Sequence, residues 1–370
     1  MACRRRPVPG AAGDGRPLQG LAVTDELLVE TAERVFAHAC TFEAVRQAEE
    51  ARWAAEIWEA AAAIGLPWIS VPEEAGGAGG TVSDAVAVLQ VAGRHAAPVP
   101  LAETGLLAGW LLAAAGLPVG EGPSTVVPGL PEDDLRLEGG RLTGTAHRVP
   151  WAGAAERIVA LVDGQVVSAT PGEAHLEPLA NLAGEPRDTV VFDGAPVAAA
   201  PAPGGVDGGA LRRRGALSRA ALMAGALLAM AELTAGYAAQ RQQFGRPVAT
   251  FQAVQALLVR VAEEALLVDL AVQVAAREAD RGDAAFEIAA AKILADEAAR
   301  VATRAAHQAH GAMGMTREYP LQHLSRRLWS WRAEYGDASW PRRLGDEVKA
   351  AGPDALYRLI ADGSRAAATA

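Results

Sequence analysis

The stretch RQQFGRPVATFQAVQ, residues 241–255, interrupts the most helix-prone part of the chain. A long run of Ala, Leu, Met and Gln leads into it, and another amphipathic run follows. Gly245 permits a positive φ angle, and Pro247 is tolerated in the first turn of a helix. The stretch therefore predicts that one long helix ends here and a second begins after a short connection.

The break does not explain why Arg241, Phe244 and Gln252 cluster beside it. An arginine offers a rigid fork that suits a diphosphate, and a phenylalanine offers an aromatic face for a planar ring. The alternative interpretation is an ordinary inter-helix turn with a solvated arginine. Spacing alone leaves both interpretations open.

Hydrophobic periodicity extends this picture in both directions from the break. Helices are predicted over 211–241, 249–281, 284–310 and 319–331, and helices of this length joined by short loops form an antiparallel bundle. Residues 120–205 instead show short β-branched runs separated by Gly, Pro and Asp turns, which predicts a small antiparallel sheet domain. The fold class is α+β, mostly α. Its predicted parts are a disordered tail (1–22), an N-terminal helical domain (23–118), a central β domain (119–205) and a C-terminal four-helix bundle (206–370).

Composition narrows the class of protein. A net charge of −10 over 370 residues argues against a generally basic surface for nucleic acid. Only Cys3 and Cys40 are present, so a disulfide framework is not expected and a reducing compartment fits better. No apolar segment follows the basic start, and the uncharged run 104–120 is too short to span a membrane. We expect a cytoplasmic protein without a membrane span.

A second polar cluster, HQAHGAMGMTREYPL, occupies residues 307–321. Gly311 and Gly314 let the chain turn closely past another group after a long helix. His307 and His310 lie three residues apart, as metal ligands can, but no third ligand follows at a suitable spacing. We therefore predict no metal site.

Together these two stretches closely resemble the acyl-CoA dehydrogenase family, and LPWISVPEEAGGAGG with GRHAAPVPLAET resembles that family's first helical domain. The resemblance covers nearly the whole chain after residue 25. It implies an FAD-dependent enzyme that removes the α-proton of an acyl-CoA with a carboxylate and passes the β-hydrogen as hydride to the flavin. It also implies an oligomer in which one bundle grips a neighbour's FAD, and an electron acceptor protein.

The resemblance also assigns roles to particular residues. Arg241 would bind the FAD pyrophosphate, and Phe244 and Gln252 would line the cofactor. Gln308 and Gly311 would meet its adenosine half. Trp151 would correspond to the tryptophan that packs on the flavin ring.

Three departures from the family pattern concern the chemistry. Tyr335 stands where common members carry the catalytic glutamate, and a tyrosine is a poor proton acceptor at neutral pH. Gly215 stands where other members carry the base on an earlier helix. The Thr-Glu-Pro…Gly-Ser-Asp strand that holds the flavin ring is missing. The nearest carboxylates, Glu334 and Asp337, are the candidate replacement bases.

Three hypotheses follow. In the first, the chain is a non-catalytic or half-catalytic subunit of a heteromeric acyl-CoA dehydrogenase and supports a partner's FAD site, as occurs in the family for bulky substrates such as steroid side chains. In the second, it is a self-sufficient homo-oligomeric flavoenzyme that uses Asp337 or Glu334. In the third, it is a flavin-free structural scaffold.

Three local signals give further expectations. Ser83 or Asp84 is the expected cap of a helix, and the linker is placed in the segment VAAAPAPGGVDGG. LRRRG, 211–215, is read as either a solvated helix start or a contact for CoA phosphates. SRRLWSWR, 325–332, is expected to pack against the bundle.

Overall fold

The computed structural model describes residues 26–336 and 339–352, with positions 357 and 363. The predicted tail, 1–22, and the candidate base Asp337 lie outside these residues. The helices are α1 Glu26–Ala39, α2 Phe42–Ala51, α3 Ala55–Ala62, α4 Val82–Arg94, a π-helix Ala102–Gly109, α5 Trp110–Ala114, α6 Gly208–Gln240, α7 Gln252–Ala279, α8 Ala285–His310, α9 Leu321–Arg332 and α10 Ser339–Ala351. The strands are β1 Ser124–Val126, β2 Arg136–Glu138, β3 Arg141–Pro150, β4 Arg157–Val162, β5 Gln165–Ala169, β6 Ala174–Glu177, β7 Arg187–Pro196, β8 Ala198–Pro201, β9 Gln242–Gln243 and β10 Arg246–Pro247.

The first five helices and the π-helix form the N-terminal part. Thr81, not Ser83 or Asp84, caps α4: its side chain accepts from the backbone N–H of Asp84, whose carboxylate in turn accepts from the Thr81 N–H. This reciprocal pair is a capping box, and the T-x-x-D spacing was its signal. The π-helix is fully buried and continues directly into α5.

The β region forms two four-stranded sheets, in the orders β1-β4-β5-β8 and β2-β3-β7-β6. The expectation of one small antiparallel domain needs two corrections. β1 pairs with β4 in parallel. Between these two strands the chain passes through β2 and β3, which belong to the other sheet. β8 pairs with β5, so part of the expected linker is an edge strand. Its short Ala and Pro residues carry no strand signal.

Helices α6, α7, α8 and α9 form the C-terminal bundle within a few residues of the predicted bounds, which confirms the predicted fold class. Alanine lines the interior: Ala220, Ala224, Ala295 and Ala302 are all fully buried. Small side chains let the helix axes approach closely. By length and composition α6 could cross a membrane, but 72% of its most apolar window is buried inside the protein.

Two glycines set the distance between α4 and α6. A Cβ atom at Gly225 of α6 would lie 1.8 Å from the carbonyl oxygen of Gln90, and one at Gly93 of α4 would lie 2.0 Å from that of Leu222. These contacts are with backbone atoms, which cannot rotate away as a flexible side chain can. The crossing therefore requires glycine on both helices.

We expect Gly225→Ala to lower the free energy of unfolding by about 1–3 kcal/mol, because overpacking forces the two helices apart. Gly236→Ala is the matched control on the same helix, since a Cβ there meets nothing within 4 Å. Removing an exposed helical glycine should stabilise the protein by about 0.5–1 kcal/mol. Urea unfolding of both variants measures the difference, and equal stabilities would contradict the close crossing.

Candidate functional site

The connection between α6 and α7 is a two-residue hairpin rather than a plain turn. Gln242–Gln243 pairs antiparallel with Arg246–Pro247, and the residues between them, Phe244 and Gly245, have φ angles of 53° and 77°. Two successive positive φ angles give the turn whose twist suits a tight hairpin. The hairpin projects the Phe244 side chain outward, where it is 92% exposed.

The other predicted cofactor residues on this side are also exposed and lie at the same end of the bundle. Arg241 follows the last residue of α6, and Gln252 is the first residue of α7. Gln308 and Gly311 lie at the end of α8, with Gly311 at a φ angle of 59°. The structure thus groups these predicted side chains around one open surface, which we call the bundle-end surface.

An aromatic cluster joins the ends of α6 and α8 beneath this surface. The ring of Tyr237 stacks on that of His310 with a centroid distance of 4.5 Å, and Tyr319 packs against both. The His310 Nδ1 atom contacts the carbonyl oxygen of Ala306 at 2.8 Å, and burial lowers the pKa of this imidazole. His310 is therefore a neutral packing residue of the bundle.

Trp151 lies elsewhere. It is 4% exposed, has a φ angle of 54° and packs edge-on against Trp53, with ring centroids 6.5 Å apart. Its ring lies within the contact between the N-terminal helices and the β region. It is not among the residues that line the cavity described next.

A cavity of about 660 Å3 lies between the β region and the helices. Its walls come from the segment after β1, from β3, from the loop between β6 and β7, and from the ends of α6 and α9. We call it the interdomain crevice. It is lined chiefly by apolar side chains and three arginines: Pro128, Leu130, Pro131, Arg148, Pro150, Leu179, Leu182, Arg187, Arg212, Trp329 and Tyr335, with Glu334 at its inner end.

The two positions where the family pattern would place a base meet at this inner end. A Cβ atom at Gly215 would lie 2.2 Å from Cδ1 of Tyr335, so the phenol ring rests directly on the glycine. The Arg219 guanidinium lies 5.4 Å from the centre of the same ring. Burial raises the pKa of the Tyr335 hydroxyl, so it holds its proton at neutral pH. Gly215 has no functional group, and the protonated Tyr335 hydroxyl is not a proton acceptor.

Glu334 is held between two arginines. Its carboxylate accepts hydrogen bonds from Arg187 Nε at 2.8 Å and from Arg219 Nε at 2.7 Å. Burial alone would raise the pKa of this carboxyl group, but the charges of both arginines and their hydrogen bonds outweigh it and hold the pKa at about 2. A carboxylate this acidic is a weak base for a thioester α-proton.

Glu334 belongs to a continuous series of alternating charges. The series crosses the N-terminal helices, the β region and the bundle, and it runs through Glu103, Arg219, Glu334, Arg187, Glu185, Arg327 and Glu49. We call it the charge chain. Of its members, only Glu334 is predicted from the sequence as a candidate site residue, and Arg327 is singled out only within SRRLWSWR as part of a packing segment. Arg219 gave no local signal because it lies among alanines that predict an ordinary buried helix.

The arginines of LRRRG, 211–215, have separate contacts. Arg212 lines the interdomain crevice, and Arg213 forms an ion pair with Asp283 at 2.7 Å. Arg214 lies over the Trp110 ring at 4.3 Å, and burial lowers its pKa to about 10. These contacts replace the expectation of a simple solvated helix start. In SRRLWSWR, Trp331 is buried in the hydrophobic core of the bundle as expected, whereas the buried Arg327 pairs with Glu49 of α2 and with Glu185.

Comparison with known proteins gives consistent matches along the chain. The model of the acyl-CoA dehydrogenase N-terminal domain matches residues 24–118, and that of the C-terminal domain matches residues 213–337. The chain is 33% identical over 296 residues to acyl-CoA dehydrogenase FadE28 of Mycobacterium tuberculosis, covering 71% of this chain and 84% of that protein. It is 30% identical over 363 residues to FadE27 of the same organism, covering 84% and 92%.

Two solved structures are similar over nearly their full lengths. One is the ChsE4–ChsE5 complex from Mycobacterium tuberculosis, with a TM-score of 0.80, 27% identity, and coverage of 88% of this chain and 97% of that one. The other is a variant of the steroid ACAD Tcur3481–Tcur3483, with a TM-score of 0.77, 26% identity, and coverage of 92% and 98%.

Proposed function

Because the chain belongs to the acyl-CoA dehydrogenase family, we propose that it is the supporting subunit of a heteromeric, FAD-dependent acyl-CoA dehydrogenase. In this role its bundle end completes the cofactor site of a partner chain, and the partner supplies the base that removes the α-proton. When bound, FAD supplies a two-electron acceptor for the hydride that leaves the β-carbon of the acyl thioester.

The bundle-end surface fits an FAD held between two chains. Arg241 offers a guanidinium for the pyrophosphate, and the described residues include no ion pair that occupies it. Phe244 presents an exposed aromatic face. Gln252, Gln308 and Gly311 add amide and backbone groups on the same surface. An aromatic ring that is 92% exposed is costly to leave in water, which supports its burial against a cofactor or partner.

The interdomain crevice does not fit the flavin ring in the same way. The isoalloxazine ring carries several polar atoms that need hydrogen-bond partners. Three wall residues, Pro128, Pro131 and Pro150, have no backbone N–H. The N–H of a fourth, Leu130, already donates to Asp133 Oδ2 at 2.7 Å.

One observation carries the proposal: the positions of both possible bases are filled by Tyr335 and Gly215 in direct contact. Among the described residues that line the crevice, Glu334 is the only carboxylate, and two arginines hold it ionised. The residues that would serve a neighbour lie together at the bundle end, whereas the crevice that would serve this chain's own chemistry has no unpaired carboxylate among its described lining residues.

A face of α7 supports assembly with another chain. Its exposed apolar residues share one side of the helix and are Val259, Leu266, Leu267, Leu270 and Val274. A contiguous apolar stripe of this kind is typical of a protein–protein contact. Both solved relatives above are described as pairs of different chains. We propose a similar pairing here, a bulky acyl group such as a steroid side chain, a cytoplasmic location and an electron acceptor protein.

The flavin content of the purified chain tests the proposal. We expect the chain alone to carry no FAD, and the chain co-expressed with a homologue that keeps the catalytic glutamate to carry less than one FAD per chain. Visible absorption of both preparations gives the ratio. One FAD per chain in the lone preparation, with desaturase activity, would overturn the supporting role.

The second candidate, a self-sufficient enzyme that uses Asp337 or Glu334, makes a different prediction. In that case Asp337→Asn or Glu334→Gln abolishes acyl-CoA oxidation by the lone chain. Under the supporting role, Asp337→Asn leaves the turnover of the complex unchanged. The third candidate, a flavin-free scaffold, predicts no flavin in either preparation.

A further inference from the structure

The interdomain crevice is large enough for a ligand and has no assigned occupant once the flavin ring is excluded. Its volume of about 660 Å3 lies within the usual range for small-molecule sites, roughly 300–1,000 Å3. Several apolar residues at it remain in contact with water: Leu179 is 52% exposed, Leu182 63% and Trp329 39%. Covering them would remove apolar surface from water.

Most of the polar groups on the inner wall of the crevice are paired with each other. Arg187 and Glu334 neutralise each other, so they offer no net charge to a ligand. Asn181 likewise donates its amide N–H groups to Glu185 at 2.9 Å and to Glu334 at 3.3 Å. These groups form the inner wall of the crevice and are already paired within the protein.

Arg212 differs from the other cations of the crevice. It lies half-buried in the first turns of α6 and forms no ion pair within the described part of the chain. Arg148 is 60% exposed at its side chain and is paired with Glu132. Arg212 is thus the lining cation whose charge is not paired among the described residues, and a guanidinium there favours a carboxylate or another small anion.

We infer that the interdomain crevice binds an apolar carboxylate, with its hydrocarbon body against the proline and leucine walls and its anionic group at Arg212. This inference rests on the proposed function, because it assigns a ligand to a crevice that lacks the catalytic base. The ligand is bound without being oxidised, since the only carboxylate among the described lining residues, Glu334, is held by two arginines. The site is thus a holding site for a substrate-like or product-like acid.

The experiment uses the full-length chain, or its purified complex, and the fluorescent fatty acid cis-parinaric acid as probe. We expect saturable binding with about one probe per chain. Hexadecanoic acid should displace the probe and hexadecanol should displace it at least roughly tenfold less well, because only the acid pairs with Arg212. Riboflavin should not displace it. These competition experiments are carried out on the wild-type protein.

Three variants locate the site. Arg212→Gln should weaken probe binding by roughly tenfold or more. Ala180→Trp should abolish it by filling the crevice. Arg304→Gln, an exposed arginine on α8 that does not line the crevice, should leave it unchanged. Circular dichroism checks that each variant is folded.

The outcomes separate this inference from the proposed function. Absence of saturable binding, equal displacement by hexadecanol, or displacement by riboflavin would overturn the inference, whatever the flavin content of the complex. One FAD per chain in the lone preparation would overturn the supporting role, whatever the probe does.

Discussion

Glu334→Gln is expected to lower the free energy of unfolding by about 3–5 kcal/mol, since it removes one member of a buried, hydrogen-bonded ion cluster. The amide keeps the shape but loses the negative charge, so Arg187 and Arg219 face each other across the inner wall with only Glu185 and Glu103 left as their counter-ions. Urea denaturation followed by circular dichroism measures the loss. Glu318→Gln is the control, because Glu318 is exposed beside α9.

The same carboxylate gives the protein a defined sensitivity to acid. The folded-state pKa of about 2 lies below the ordinary glutamate value of 4.5, so its stabilisation is fully present above pH 4.5 and is lost as the pH falls towards 2. Glu49 behaves alike: burial opposes its ionisation, but His323, Arg326 and Arg327 lower its pKa to about 2. Wild-type stability should fall across this window, and Glu334→Gln should show a shallower fall.

This experiment also separates a structural role for Glu334 from a catalytic one. If Glu334 were the base, Glu334→Gln would abolish turnover while the unfolding midpoint stayed near that of Glu318→Gln. A large loss of stability with little change in the turnover of the folded complex would instead support its place in the charge chain.

Arg241→Gln is expected to weaken FAD binding by the complex roughly 10- to 100-fold. A hydrogen bond to a charged group contributes about 1.5–3 kcal/mol, and the guanidinium fork can make two of them to a pyrophosphate. The fold should be unaffected, since Arg241 is exposed at the end of α6. Titration of the deflavinated complex with FAD, followed by flavin fluorescence, gives the two dissociation constants.

Arg136→Gln serves as the matched control for this measurement. Arg136 is also exposed, but it lies on β2 in the β region rather than on the bundle-end surface. Both variants change the net charge equally, so any difference reports position and not overall charge. Equal FAD affinity of the two variants would show that Arg241 does not contact the cofactor.

Local sequence signals predicted the fold because helices and turns depend on neighbouring residues. The Gly245–Pro247 break and the long apolar periodicities fixed the bundle helices to within a few residues. The parallel pairing of β1 with β4 could not be predicted in this way. The two strands are short and separated by β2 and β3, so their pairing is decided by sheet packing and not by local propensity.

The residues of the candidate site could likewise be predicted where the sequence signals are local, but not where they depend on contacts between distant segments. The bundle-end residues were predicted as a group, because they lie in two contiguous stretches that end long helices. The inner end of the crevice was predicted only as a list of missing residues. That Tyr335 rests on Gly215, and that Arg219 joins Glu103 to Glu334, are contacts between distant segments. No periodicity or spacing along the chain encodes them.

The π-helix Ala102–Gly109 has a consequence for chain length. Its hydrogen bonds span five residues, as in the bond from the Trp110 N–H to the Gly105 carbonyl, so each turn holds one residue more than an α-helical turn. The residues at either end, Leu101 and Trp110, already have α-helical dihedral angles. Deleting one residue between Glu103 and Trp110 would therefore let the segment rewind as an α-helix while both ends stay in place. Homologous chains should differ by single-residue gaps here sooner than in any other buried helix described.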